Sequence, residues 1–144
     1  MPEIPEKLAN TLDALSLVPD RAERIQLLID TAERFKEVPP EVATRPFPED
    51  HRVPACESEA FVWAERRPDG RLDFHFAVEN PQGISAKAMA VILKDTLSGQ
   101  PLEQVAAVPQ DVVYQVFGNE LSMGKSMGLM GMVGMVSTLA KRAL

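Results

Sequence analysis

The sequence predicts an α+β fold: a small antiparallel sheet packed against several helices. Two observations carry this. Helical periodicity runs through the first third of the chain and returns after residue 83, and between them lies a strictly alternating hairpin. A chain of 144 residues holds one core but not two, so residues 1–144 read as a single domain. The sheet is expected to be a β-hairpin with room for a third strand.

The elements follow in order. Leu8, Leu12 and Leu15 fall on one stripe between Pro5 and Pro19, predicting a short amphipathic helix. Asp20 and Glu23 form a capping-box pattern. Ala22, Ile25, Leu28, Ile29, Ala32 and Phe35 then recur at helical spacing, predicting a helix from Arg21 to Glu37 that Pro39 and Pro40 stop. Pro39 to Ala55 has no sustained period and is broken by Pro46, Pro48 and Pro54; a loop of this length inside a compact domain usually has a function.

Phe61, Val62 and Trp63 predict a strand and Pro68-Asp69-Gly70 a turn. Leu72, Phe74, Phe76 and Val78 alternate with Asp73, His75, Ala77 and Glu79, which predicts a hairpin with one buried face. A helix over Ala86 to Leu97 ends at Gly99, and two short helical pieces, Leu102 to Val108 and Val112 to Phe117, flank Pro109. The last helix is expected over Ser126 to Leu144. It carries Gly128, Gly131 and Gly134, each costing ~1 kcal/mol against alanine, a cost that close packing explains.

Composition narrows the function. With 45% hydrophobic and 25% charged residues the chain is expected to fold. A net charge of -6 without any block of Lys or Arg argues against nucleic acid as a partner. Met1 to Lys7 lacks a basic stretch followed by an apolar one, so no secretory leader is expected and the cytoplasm is the expected compartment. The apolar stretch Met127 to Val136 is too short for a bilayer, which takes ~20 residues, and reads as a buried helix face; no membrane association is expected.

One cysteine, Cys56, excludes an internal disulfide and any resolving thiol within the chain. Cys56, His51 and His75 match no zinc spacing, and no metal or bound cofactor is expected. Cys56 stands where the long loop meets the first strand. A lone cysteine is most often an inert buried side chain; a reactive one needs access and a stabilised thiolate. His51 and Arg52 favour ionisation if they fold back toward it, and Glu57 opposes it.

Val53-Pro54-Ala55-Cys56-Glu57-Ser58, followed by Val62 and Trp63, resembles the signature of the SufE family, a Val-x-Gly-Cys-Gln-Ser run leading into a strand with a Val-Trp pair. The order of helices, hairpin and helices agrees, as do the helix with Lys87 and the Leu-Ser-x-x-Lys-Ser-x-Gly-Leu run from Leu121 to Leu129. The resemblance extends over nearly the whole chain and includes CsdE-like relatives. It departs from the family at Ala55 and Glu57, where Gly and Gln are typical, and at Lys125, where Arg is; lysine offers a point charge in place of a planar fork of donors.

The resemblance implies a sulfur carrier. A SufS-type cysteine desulfurase builds a persulfide with its own pyridoxal phosphate, Cys56 takes the terminal sulfur and stimulates that enzyme, and an iron–sulfur scaffold of the SufBCD type receives it. The chain then acts as a co-substrate in sulfur transfer rather than as a stand-alone enzyme, with Lys125 a charged neighbour of the partner site. Two other readings stand beside it: an adaptor of a metabolic complex with a structural cysteine, and a redox sensor whose cysteine is oxidised to a sulfenic acid.

Two weaker signals are read as structural. The methionines at 123, 127, 130, 132 and 135 have mixed spacings and suit core filling better than copper binding. His75 shares a face with Asp73 and Glu79, as half-exposed strand residues do, and reads as part of a solvated face.

Overall fold

A computed structural model describes residues 3–144; Met1 and Pro2, part of the stretch considered above as a leader, lie outside it. Helices α1 (Glu6–Ser16) and α2 (Arg21–Glu33) precede a hairpin of β1 (Ala60–Arg66) and β2 (Leu72–Val78). Helices α3 (Ile84–Leu97), α4 (Leu102–Ala106), α5 (Val112–Phe117) and α6 (Met123–Ala143) follow. The architecture is α+β, with six helices around a two-stranded antiparallel sheet.

The hairpin sits at the centre because its pattern gives it an apolar face. Val62 pairs with Phe76 and Ala64 with Phe74, and this face, completed by Leu72 and Val78, joins the main core formed with α3 and α6. Leu8, Leu12 and Leu15 of α1 reach the same core, as the leucine stripe predicts.

A lone hairpin is marginal in water, and the free edges of this one are satisfied piece by piece. Along the outer edge of β2, Gly99 N–H donates to Leu72 O at 2.8 Å, Ser98 Oγ accepts from Phe74 N–H at 3.0 Å, and Val38 N–H donates to Phe76 O at 2.8 Å. Lys94 Nζ donates to Phe74 O at 2.7 Å. Along β1, Val53 N–H donates to Ala60 O at 2.8 Å and Arg52 forms an isolated bridge with Phe61. No third strand forms among the described residues; single residues of the flanking loops take that place.

The expectation of one buried face needs correction. The opposite face also presents Phe61, Trp63 and Ala77, and Val38, Val42, Ala43 and Phe47 of the long loop fold over them into a second cluster. This covering explains why α2 ends at Glu33, short of the expected Glu37. Val38 is drawn onto the sheet edge, and the chain leaves helix to reach it. His75 is likewise no solvated residue, with its side chain only 12% exposed. Its Nδ1 accepts from Lys94 Nζ at 3.3 Å, which leaves Nε2 to donate to Glu65 at 3.2 Å. Burial holds the Lys94 ammonium below its ordinary pKa, opposed by Asp73, Asp95 and Glu65.

The last helix begins three residues before the expected Ser126, because Ser122 Oγ caps it by accepting from Lys125 N–H at 3.2 Å. Its apolar stretch is buried only in part: Met132, Val133 and Val136 lie inside, whereas Met127 is half exposed. Among the described residues no helix is long and apolar enough to cross a membrane.

Asp73 accepts from Arg67 Nε at 2.8 Å and Nη2 at 2.5 Å, and this bonding holds its carboxyl below its ordinary pKa of 3.8. A depressed carboxyl pKa contributes stability above the ordinary value, and the contribution is lost as pH falls through the folded value. Asp73→Asn is therefore expected to cost ~0.2–1 kcal/mol at neutral pH, the range for a solvent-exposed pair. Thermal unfolding of both proteins down to about pH 2 should show the difference closing as the Asp73 carboxylate is protonated.

Candidate functional site

Cys56 follows the long loop on a short turn that crosses the first half of α6. Its carbonyl accepts from Glu59 N–H at 3.1 Å, and the residues at either end of the turn, Ala55 and Glu59, take left-handed φ values of 57° and 52°. Ser58 O and Glu59 O accept from Asn80 and Glu79 N–H at 3.2 and 3.1 Å, tying the turn to the end of β2.

Glycine lets the turn lie against the helix. A β-carbon on Gly128 would stand 3.0 Å from Cys56 Cα and 3.3 Å from Ala55 O. On Gly131 it would meet Val53 Cγ1 at 3.1 Å, and on Gly124 the Glu57 carboxylate at 3.3 Å. Positions 124, 128 and 131 form one stripe of the helix, so the whole segment Val53–Glu57 rests on a face without side chains. The glycines expected to mark close packing do so at 128 and 131. Gly134 faces only the flexible end of Gln110.

The Cys56 side chain is 7% exposed and lines a cavity of about 30 Å³. Gly83, Ser85 and Ala86 close it from the start of α3, Lys125, Gly128 and Leu129 from α6, and Glu57, Ser58 and Gln82 from the loops. The wall beside the sulfur is thus built from the first turn of α3 and the first two turns of α6. On this scale a water needs roughly 10–15 Å³, so the cavity has room for about two or three water-sized atoms beyond the thiol.

The structure separates the predicted site residues. Lys125 joins Cys56 in the cavity wall. His51 does not reach it: its ring stacks on Trp63 with centroids 5.3 Å apart and its Nδ1 bonds Val62 O at 2.9 Å. Arg52 stands 3.9 Å from Glu49 and from Glu59. Ser85 and Ala86 were not anticipated, because the expected helix began at Ala86 and nothing local connects that helix start to Cys56. Among the described residues no cluster of three or more His, Cys, Asp or Glu is placed to hold a metal ion.

The fold and site define an α+β protein with one buried thiol beside a small cavity. The sequence pattern of the SufE family, described as an Fe-S metabolism associated domain, matches residues 9–140, and the chain belongs to that family. Among solved structures it is similar to the solution structure of a hypothetical protein from Thermus thermophilus, with 25% identity, a TM-score of 0.76 and 97% of each chain covered. No curated protein matches it.

Two sets of substitutions test this geometry in urea. Gly128→Ala sets a methyl group against backbone and is expected to destabilise by ~1 kcal/mol or more, overpacking exceeding the gain in helix propensity. Gly134→Ala displaces only a mobile amide and should be neutral or stabilising by up to ~1 kcal/mol. Ala55→Gly, which removes a left-handed alanine, should stabilise by about 0.5–1 kcal/mol.

Proposed function

We propose that Cys56 is the acceptor and carrier of sulfane sulfur from a SufS-type cysteine desulfurase, and that the chain works as one domain in the cytoplasm. The Cys56 thiolate attacks the terminal sulfur of the donor's persulfide. An S–S bond forms at Cys56, the donor's S–S bond breaks, and the donor cysteine leaves as a thiolate. Charge and electrons balance: one thiolate is consumed and one released, and no outside oxidant or reductant enters. The loaded Cys56 persulfide is then attacked in turn by a thiolate of an iron–sulfur scaffold of the SufBCD type. Pyridoxal phosphate chemistry belongs to the donor.

The observation that carries this reading is the cavity. A persulfide adds one sulfur atom to the thiol, and the cavity beside Cys56, with room for about two or three water-sized atoms, can take it in a site with little solvent access. Membership in a family associated with iron–sulfur metabolism supports the same conclusion. Lys125 acts as the charged neighbour of the sulfur. His51 acts at a distance, fixing Val62 and Trp63 of the strand on which the Cys56 turn ends.

The test is intact-protein mass spectrometry after incubation with a SufS-type desulfurase and cysteine, without reductant. The protein is expected to gain the mass of sulfur and to lose it on treatment with dithiothreitol. Cys56→Ser should abolish both the gain and the stimulation of the desulfurase. A variant that still stimulates fully would refute the carrier role.

A further inference from the structure

The apolar stripe of α2 is not fully covered by the rest of the chain. Ile25 is 40% exposed and Ile29 partly so, although both belong to the face whose Leu28 and Ala32 are buried. They line a groove of about 440 Å³ with Leu28 of the same helix, Ile84 of α3, and Phe117 and Leu121 from the segment around the end of α5. Ile84, at its lip, is 47% exposed.

The charged groups of the groove are already engaged within the chain. Arg24 donates to Val116 O at 3.0 Å, to Leu15 O at 3.1 Å and to Gln115 O. Arg21 and Glu120 pair with each other at 2.5 Å across the opening. What remains for an occupant is apolar surface. Ser85 lines both this groove and the Cys56 cavity, so the two are neighbours along one surface.

We infer that this groove seats an apolar side chain of the sulfur-donating desulfurase, placed beside that enzyme's persulfide-bearing segment. The inference rests on the acceptor role proposed for Cys56. Sulfur transfer needs the two proteins in contact at the cavity mouth, since the attacking and attacked sulfurs must come within bonding distance. A groove that adjoins that mouth through Ser85 is therefore continuous with the contact surface. Its self-paired charges select an apolar anchor over a charged one, in the manner of a buried hot spot with a polar rim.

Desulfurase activity is measured against the concentration of this protein, comparing the parent with Ile25→Glu and with Ile84→Glu. Loading of Cys56 by inorganic polysulfide, which needs no docking, serves as a control for fold and thiol. The concentration giving half-maximal stimulation is expected to rise about tenfold or more in each variant, with the maximal rate and polysulfide loading retained. A change of less than about twofold in both variants, with an active parent, overturns the groove while leaving the carrier reading intact. A parent that takes no sulfur from the desulfurase removes both. If sedimentation shows the parent to be a dimer that Ile25→Glu dissolves, the occupant is a second copy and the inference is overturned. Should Ile25→Glu fail to fold, Ile25→Ser decides on the same criterion.

Discussion

The constraint on which the thiol's position depends is backbone against helix: the Cys56 turn rests on a stripe of α6 that carries no side chains. Residues 124, 128 and 131 are glycine, and a methyl group at 128 would stand 3.0 Å from Cys56 Cα. Everything about the thiol follows from this approach. It sets the depth at which the sulfur lies, brings Lys125 and Leu129 to one wall of the cavity, and leaves the start of α3 to close the other. Glycines inside a helix are costly, at ~1 kcal/mol each. The 21-residue length of α6 and the burial of Leu129, Met132, Val133, Val136 and Ala140 along it supply the compensation.

Both the sheet edge and the Cys56 turn are anchored by hydrogen bonds. The outer edge of β2 is satisfied by Gly99, Ser98, Lys94 and Val38, so the sheet has few ways to open there. The Cys56 turn is tied to the end of β2 through Glu79 and Asn80, and its end residues Ala55 and Glu59 occupy the left-handed region that L-residues resist. The strained backbone at its two ends sets this segment apart from the sheet. In the carrier role proposed for Cys56, a strained turn on a rigid frame suits a sulfur that is shielded in one complex and exposed in the next.

What could be read from the sequence was what is local. The leucine stripe of α1, the alternation of the hairpin and the glycine after α3 each specify structure through neighbours a few residues away, and these elements stand where expected. The early start of α6 has a local cause in the Ser122 cap, whereas other departures have long-range causes. The end of α2 depends on Val38 finding the edge of β2, and the burial of His75 depends on Lys94, 19 residues on. The site divides in the same way. Cys56 stood out as the lone thiol at a loop–strand junction, and the run containing Lys125 pointed to a second site segment. Ser85 and Ala86 gave no local signal, and His51, close in sequence to Cys56, is turned away by its stacking on Trp63.

A carrier must also let go. Each cycle requires leaving the donor before meeting the next acceptor, so affinity for either protein is limited by the dissociation rate that turnover needs. A groove that buries one aliphatic side chain contributes about 1.5–3 kcal/mol, enough to orient an encounter without fixing it. Charges committed to the chain's own groups, as Arg24 is to three carbonyls and Arg21 to Glu120, add little to that attraction. In the carrier role proposed for Cys56, the small cavity shields the sulfur in the interval between partners. On the proposed roles of the groove and of Cys56, binding and release are separated within one surface: apolar contact beside the site bears on the lifetime of the complex, and the glycine-backed turn on access to the sulfur.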